Sequence, residues 1–296
     1  MLKNIIQQTS AIVVGIDPNF DRLPKNFHPK SNSSEEIENS LFNFAKEVID
    51  ASFDLIPAIK PQIAYFEQFG LAGLSALARV LEYAKSKNLL IIMDAKRGDI
   101  GTTSQAYANS YLIPELKISD NVSIKNQFKS DGLTVNPFLG MDAIWPLIDT
   151  AIKNQKGVFV LLKTSNPGSG LLQSLKNEVG ETGSEVLAKK IYQINQDNLD
   201  DSGYGPVGVV VGSTYPEKAK KLRKILPNSL FLIPGTGSQG GTIKTALNSF
   251  NDDKTGGIIP ISRAITYPSQ EEVQQFGFQL AVRKRLEKFV KEFKQA

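Results

Sequence analysis

Cysteine is absent from the 296 residues, and histidine and tryptophan each occur only once. The lack of cysteine excludes disulfides, thiolate metal sites, iron–sulfur clusters and a cysteine nucleophile. Because His28 is the single histidine, a multi-histidine metal site is excluded, and a Ser-His-Asp triad would have to use that residue. Any chemistry must therefore rest on Lys, Arg, Asp, Glu, Ser or Thr side chains, or on a borrowed cofactor.

The sequence also lacks a strong excess of one charge and any long apolar run. Lysine and arginine number 34 and aspartate and glutamate 30, which gives a net charge of +4. A dense basic cluster at 283–285 is followed on the same helix by Glu287 and Glu292, which is typical of a solvated helix face rather than a nucleic-acid surface. No apolar run approaches the roughly 20 residues of a membrane span, and residues 1–17 lack the apolar core of a secretory signal. We expect no nucleic-acid or membrane partner and a cytoplasmic location.

Short apolar runs alternate with longer amphipathic stretches along the chain. Most of the eight runs have no polar alternation, as expected of strands that are buried on both faces of a parallel sheet. Eight strand–helix units without a break in composition predict a single (β/α)8 TIM barrel domain over residues 1–296. The predicted strands cover 11–17, 55–62, 89–96, 132–137, 157–164, 207–213, 229–235 and 257–263.

Apolar residues recur with helical spacing in several stretches between these strands. Two other stretches, 117–130 and 165–183, are polar or rich in Gly, Ser and Asn and are predicted to be loops. The second follows a barrel strand and is a candidate lid. The clearest predicted helices cover 37–48, 71–84, 186–199 and about 270–294.

Polar side chains collect at the carboxyl ends of the predicted strands, where the active site of such a barrel lies. Asp94 and Lys96 occupy alternate positions of one strand end, so both side chains can face the barrel mouth. Lys60 and Asp99 extend this pair to an array of alternating charge. Such an array holds charges of both signs close together in a site from which water is partly excluded. A structural ion-pair network would give the same pattern.

Residues 235–240 read Gly-Thr-Gly-Ser-Gln-Gly after the seventh predicted strand. The G-x-G-x-x-G pattern of dinucleotide-binding proteins belongs to an opening βαβ unit, and an acidic residue follows it about 20 residues later. Here the motif comes late and the next strand ends in Arg263. A phosphate site after strands seven and eight, with the Arg263 fork on the phosphate oxygens, fits a barrel better. A glycine-rich turn without a ligand is the alternative.

The segment DAKRGDIGTT at 94–103 resembles the D-x-K-x-x-D-I-x-x-T signature of orotidine 5′-phosphate decarboxylases. The resemblance runs over nearly the whole chain and is to the longer bacterial branch of this family, type 2. Further segments that carry it are GIDPN at 15–19, PAIKPQIAYFE at 57–67, GLTVNPFLGMDA at 132–143, KTSNPGSG at 163–170, VVGSTYPE at 210–217, PGTGSQGG at 234–241 and PISRAITYP at 260–268.

The resemblance implies an enzyme that converts orotidine 5′-monophosphate to UMP and CO2, the last step of de novo UMP synthesis, without cofactor or metal. Asp94 would lie against the substrate carboxylate, and Lys96 would protonate C6 after CO2 leaves. Asp17 and Lys60 would bind the ribose hydroxyls, with Lys60 also part of the charged array.

The resemblance further implies a homodimer, because Asp99 and Thr103 would reach the site of the neighbouring subunit. Ser165 would hydrogen-bond the pyrimidine, although its neighbour Thr164 stays an alternative. The implied phosphate contacts are Gln239 and Arg263.

Two other functions compete with this interpretation. Metal-dependent sugar-phosphate decarboxylases or aldolases of the same superfamily share the D-x-K-x-x-D element, but they carry an acidic metal ligand where this sequence has Lys60. A non-catalytic nucleotide-phosphate binder would have no need of the Asp94 and Lys96 pair. We therefore expect a catalytic set of Lys60, Asp94, Lys96 and Asp99.

Overall fold

A computed structural model of the chain describes residues 9–237 and 240–296. Its strands are β1 (Ile12–Ile16), β2 (Ala58–Pro61), β3 (Leu90–Arg97), β4 (Glu115–Ser119), β5 (Val122–Lys125), β6 (Gly132–Val135), β7 (Gly157–Lys163), β8 (Val207–Val211), β9 (Phe231–Leu232) and β10 (Gly257–Ile261). All but β4 and β5 form a closed barrel in the order β1-β10-β9-β8-β7-β6-β3-β2. The predicted (β/α)8 barrel is confirmed, and each of its strands falls on a predicted run.

Helices follow the barrel strands, as the apolar spacing predicts. They are α1 (Ser34–Asp50), α2 (Ala64–Glu67), α3 (Gly70–Ser86), α4 (Gly101–Leu112), α5 (Met141–Lys153), α6 (Gly170–Gln173), α7 (Gly183–Gln196), α8 (Pro216–Ile225), α9 (Ile243–Ala246), α10 (Arg263–Thr266), α11 (Gln270–Phe276) and α12 (Phe278–Gln295). The predicted terminal helix is thus two helices. Gly277 divides them because its φ of +76° lies in the left-handed region, which ends a right-handed helix.

The chain divides into two compact units. The first contains residues 9–95, 113–131 and 261–295. In its core α1 packs on α3, and the buried ring of Phe44 stacks on Tyr267 at 5.6 Å between centroids. The β1 and β2 strands pair in parallel, with Gly15 opposite Lys60. This register brings the carboxyl ends of the two strands to the same level.

The second unit contains residues 96–112 and 132–260. Helix α4 packs on α5 there, and the buried Ser104 hydroxyl donates to the Ala143 carbonyl at 2.7 Å. Strands β6, β7 and β8 pair in parallel and are almost entirely apolar, so they bury both faces. The expectation of a single domain over 1–296 stays a prediction.

The predicted loop at 117–130 is wrong over much of its length, because β4 and β5 form an antiparallel hairpin there. Leu116 lies opposite Ile124, and the apolar residues alternate with polar ones along both strands. This period-2 pattern is the ordinary signal of a half-buried strand. Every residue of the two strands is nevertheless exposed. The hairpin was not predicted because polar residues flank the pattern.

The predicted loop at 165–183 contains short helical turns, Pro167–Ser169 and α6, before α7 begins. The asparagine before Pro167 is extended, as residues before proline usually are, and so the turn can start only at the proline. Among the residues that the structure describes, no helix combines the length and apolar character needed to cross a membrane.

Candidate active site

The carboxyl ends of β2 and β3 carry a buried ion pair. Lys60 Nζ lies 2.6 Å from Asp94 Oδ2, and the two residues are only 9% and 7% exposed. The strands place them together because β2 and β3 run parallel, and an isolated bridge continues the pairing at Gln62 and Asp94. The predicted contact between the second and third strand ends is therefore present in the first unit.

The charge of Lys60 depends on its acidic neighbours. Burial alone lowers the pKa of an ammonium group, but the carboxylates of Asp94 and Asp17 outweigh that effect and raise the pKa of Lys60 above its usual value. Lys60 therefore stays protonated at neutral pH. A buried cation between two carboxylates gives this end of the barrel fixed charges of both signs.

Asp17 follows β1 with one carboxylate oxygen left for a ligand. Its Oδ1 is buried and accepts no hydrogen bond within the described part of the chain, and the same holds for Ser262 Oγ. The loop is held by Tyr267, whose hydroxyl donates to the Asp17 carbonyl at 2.5 Å and accepts from Asn19 N–H at 2.9 Å. Burial raises the pKa of Tyr267, so it remains a donor. A fixed, unsatisfied carboxylate oxygen suits a ligand hydroxyl.

Arg263 is the first residue of α10, directly after β10 and Ser262. Its side chain is exposed. Gly15 makes room for this turn, since a Cβ on it would lie 2.6 Å from Ser262 Cβ. The predicted phosphate-binding arginine is thus at a strand end in the first unit.

Lys96 has an unusual backbone. Its φ of +48° places a non-glycine residue in the left-handed region, which is found mainly where function or packing enforces it. The turn is held in the second unit by Thr134, whose Oγ1 accepts from Lys96 N–H at 2.9 Å. Two residues later Gly98 lies so close to Asn136 that a Cβ would meet its carbonyl oxygen at 2.5 Å. The strand end that carries Lys96 is therefore bent and fixed, with the side chain exposed.

Asp99 and Thr103 lie just beyond this bend. Asp99 Oδ1 accepts from Ile100 N–H at 2.8 Å, and Thr103 is exposed in the first turn of α4. Large apolar side chains are exposed in this segment and in the loop at 136–139, with Ile100 at 61% and Phe138 at 70%. The 136–139 loop adjoins this segment, because Asn136 N–H donates to the Arg97 carbonyl at 2.7 Å. An apolar surface thus accompanies the residues that were expected to act across an interface.

The end of β7 separates the two candidate pyrimidine contacts. Thr164 Oγ1 is within hydrogen-bonding distance of Asn166 Oδ1 at 2.6 Å and of Gln173 Nε2 at 3.0 Å, so its hydroxyl is already occupied. Ser165 Oγ makes no hydrogen bond within the described part of the chain. Its backbone packs on Gly212, where a Cβ would lie 2.8 Å from the Ser165 Cα. Of the two hydroxyls, that of Ser165 is the one left for a ligand.

A tight glycine loop follows β9 in the second unit. Gly235 and Gly237 have φ of +106° and +85°, and Gly241 N–H closes the loop by donating to the Gly235 carbonyl at 3.0 Å. Thr236 Oγ1 is buried and finds no hydrogen-bond partner within the described part of the chain. The predicted phosphate contact Gln239 lies outside the described residues. The described glycines of this loop carry no side chain and have positive φ, which suits backbone contact with a phosphate.

No group of three or more His, Cys, Asp or Glu side chains that could hold a metal ion occurs within 9–237 and 240–296.

Comparison with known proteins identifies the family of this chain. The family model described as "Orotidine 5′-phosphate decarboxylase / HUMPS family" matches residues 21–275. The chain belongs to this family. A protein named orotidine 5′-phosphate decarboxylase from Rhodopirellula baltica is 39% identical over 90% of this chain and 87% of its own length. One of the same name from Clostridium perfringens is 38% identical over 92% and 90%.

Solved structures agree as well. A structure of Leishmania donovani OMP decarboxylase is 26% identical, covers 99% of this chain and 96% of its own, and superposes with a TM-score of 0.74. The relatives confirm the predicted family and its class, carboxy-lyases of the orotidine 5′-phosphate decarboxylase type. The roles of individual residues stay predictions.

Two residues beside these sites were not predicted from the sequence. Lys163 is the last residue of β7 and is almost fully buried, but that strand was expected to end one residue later, at Thr164. Tyr267 lies within the segment 260–268 that carries the family resemblance, and only its hydrogen bonds to the Asp17 loop reveal its position. Applying the strand-end rule to Lys163 would have found the first. No sequence signal indicates the second.

Proposed function

We propose that this protein decarboxylates orotidine 5′-monophosphate to UMP and CO2 without a cofactor, as the last step of de novo UMP synthesis. The observation that carries the proposal is the buried Lys60–Asp94 pair on strand ends, two residues before the bent Lys96. A fixed array of alternating charge is what such a reaction requires, and the relatives named orotidine 5′-phosphate decarboxylase support it.

The chemistry follows from the absence of an electron sink in the substrate. When the bond from C6 to the carboxylate breaks, CO2 leaves and the electron pair stays on C6, with no adjacent carbonyl to delocalise it. A cation fixed where this charge develops stabilises the transition state. The Lys96 ammonium takes that role and then transfers a proton to C6.

Asp94 contributes by repelling the substrate carboxylate, but the magnitude is limited. Two like charges about 4 Å apart repel by about 4 kcal/mol at an effective dielectric near 20. A very slow reaction needs about 20 kcal/mol or more from its enzyme. Most of the stabilisation therefore comes from Lys96, from exclusion of water and from binding energy at the phosphate.

The remaining residues bind the substrate in this proposal. Asp17 and Lys60 hold the ribose hydroxyls, and the unsatisfied Asp17 Oδ1 supports that assignment. Ser165 contacts the pyrimidine, because the Thr164 hydroxyl is already bonded. Gln239 and Arg263 hold the phosphate, and the loop at 165–183 covers the ligand.

We propose that the active unit is a homodimer in which Asp99 and Thr103 act across the interface. The exposed apolar side chains of Ile100, Phe138 and Leu139 support an interface at this surface. A cytoplasmic location stays a prediction.

The family model covers relatives of more than one activity, so the alternative of a metal-dependent sugar-phosphate enzyme needs an argument. Lys60 stands at the strand end where those enzymes were expected to carry an acidic metal ligand. Asp94 and Asp17 keep that lysine protonated. A divalent cation would be repelled by it, which favours the decarboxylase.

The test is turnover of orotidine 5′-phosphate, followed by loss of its absorbance in excess EDTA, with Lys96→Ala as the control. We expect fast turnover in the wild type and none above background in the variant. Turnover that returns only with added Mg²⁺ would instead support the metal-dependent alternative.

A second variant tests the phosphate assignment. Arg263→Ala is expected to lower kcat/KM by about a hundredfold or more although the arginine would lie far from C6, because phosphate binding energy is used in the transition state. An unchanged kcat/KM would remove Arg263 from the phosphate site.

A further inference from the structure

Lys163 is a buried lysine without an acidic partner. Only 2% of its surface is exposed, and within 9–237 and 240–296 no carboxylate lies at ion-pair distance. Its ammonium instead donates to the hydroxyl of Ser169 at 2.8 Å and lies 4.6 Å from the centroid of the Tyr215 ring. Burial of such a charge is costly, so the position needs a reason beyond packing.

The hydrogen bond from Lys163 to Ser169 links the end of β7 to the segment that follows it, so that residues 163–169 form a closed loop. Ser169 is itself 5% exposed and ends the turn Pro167–Ser169, six residues after Lys163. A longer contact of 3.4 Å joins Lys163 Nζ to Ser174 Oγ just after α6. The start of the segment that follows β7 is thereby tied back to the end of its own strand.

Ser165 belongs to this closed loop, between Lys163 and Ser169 in the chain. On one side its backbone packs on Gly212, whose N–H donates to the Lys163 carbonyl at 2.7 Å. On the other side the neighbouring Thr164 is bonded to Asn166 and Gln173. Lys163 therefore holds both its own strand end and the returning loop, and Ser165 is the residue between them with a hydroxyl left over.

We propose that Lys163 is a positioning residue that fixes Ser165 for contact with the pyrimidine ring of the substrate. The inference rests on the proposed function for the identity of the ligand. It goes beyond that function by adding a residue that does not touch the substrate. The lysine acts through the loop, and its loss should affect recognition of the base and leave the ribose phosphate unaffected.

The experiment compares the dissociation constants of UMP and of ribose 5-phosphate, which lacks the base. Lys163→Met keeps the length and the apolar stem but removes the ammonium. We expect it to weaken UMP binding by up to about tenfold, the upper value of one neutral hydrogen bond such as that from Ser165 to the pyrimidine, and to change ribose 5-phosphate binding by less than about twofold. Equal weakening of both ligands, or of neither, would overturn the proposal.

Lys218→Met is the matched control. Lys218 also donates to Ser174, at 3.2 Å, and lies 5.8 Å from the Tyr215 ring centroid, but it is exposed. It should bind UMP like the wild type. A loss equal to that of Lys163→Met would mean that Ser174 or Tyr215, and not Lys163, positions the loop.

A double substitution tests that Lys163 acts through Ser165. In a Ser165→Ala background, Lys163→Met should weaken UMP by less than about twofold further, because the positioned hydroxyl is already gone. Fully additive losses would contradict the coupling.

Amide hydrogen exchange separates this proposal from the proposed function. Lys163→Met should speed exchange across 165–174 in the protein without ligand, whatever the wild type turns over. If exchange is faster in the variant but the wild type does not decarboxylate orotidine 5′-phosphate, the role of Lys163 in the loop holds and the proposed reaction is wrong. Unchanged exchange would overturn the loop role even in an active enzyme.

Discussion

Lys60 and Lys163 are both buried at the carboxyl ends of barrel strands, β2 and β7, but their surroundings are opposite. Lys60 pairs with Asp94, and the carboxylates of Asp94 and Asp17 raise its pKa in spite of burial. Lys163 meets hydroxyls and an aromatic ring, and burial together with the nearby Lys218 lowers its pKa. A buried lysine among carboxylates supplies a permanent charge, whereas one among hydroxyls serves as a donor that orders a loop.

The largest expected effect is that of Lys60→Met. It leaves the buried Asp94 carboxylate without the Lys60 cation, so the free energy of unfolding should fall by about 3–5 kcal/mol. Because Lys60 is part of the proposed catalytic charge array, kcat/KM should also fall at least a hundredfold. This is roughly the effect of removing one preorganised group from an active site. Urea unfolding and steady-state kinetics measure both.

Asp94→Asn checks the cause of this effect. It removes one charge but keeps a polar group beside Lys60, so its stability loss should be the smaller. If Lys60→Met unfolds no more easily than Lys163→Met, the two environments are energetically alike and the distinction fails.

Gly212→Ala should have the next largest effect, by disturbing Ser165 without altering the Lys163 side chain. The added Cβ would lie 2.8 Å from the Ser165 Cα, so the serine must move. Overpacking of this kind costs about 1–3 kcal/mol, and we expect it in the free energy of UMP binding as well as in that of unfolding. Isothermal titration with UMP and with ribose 5-phosphate measures the change in the free energy of binding. Unimpaired UMP binding would show that the position of Ser165 is unimportant.

Lys163→Met should destabilise the fold by only about 1 kcal/mol, the value of an ordinary hydrogen bond, because it also relieves the burial of an unpaired charge. Thermal and urea unfolding beside the Lys218→Met control measure it. A loss as large as that of Lys60→Met would place the two lysines in one class.

The smallest effect is a difference in pH dependence. The raised pKa of Lys60 gives stability that is present below its unfolded value of 10.5 and is lost as pH rises through the folded value. The lowered pKa of Lys163 acts in the opposite sense, since the folded protein loses this proton first and gains stability as pH rises toward 10.5.

Urea unfolding of the wild type and both methionine variants at several alkaline pH values measures these terms. Relative to Lys60→Met, the wild type should lose stability with rising pH. Relative to Lys163→Met, it should gain stability. Slopes of the same sign would refute the assigned environments.

The barrel and most of its strand ends follow from the sequence, because buried parallel strands have few polar residues and the polar ones gather at their ends. The hairpin at Glu115–Ser119 and Val122–Lys125 escaped, since its short alternating pattern is flanked by polar residues. The choice between Thr164 and Ser165 was open for a physical reason. Adjacent hydroxyls differ only in what surrounds them, and Asn166 and Gln173 come from the loop that follows.

The Tyr267 hydroxyl joins two segments that lie 250 residues apart in the chain, since it bonds to the Asp17 carbonyl. The ribosome synthesises the Asp17 loop 250 residues before the tyrosine that orders it. A nascent chain can therefore form β1 long before it can fix the proposed ribose contact at Asp17. Substrate affinity should arise only once Tyr267 has left the ribosome.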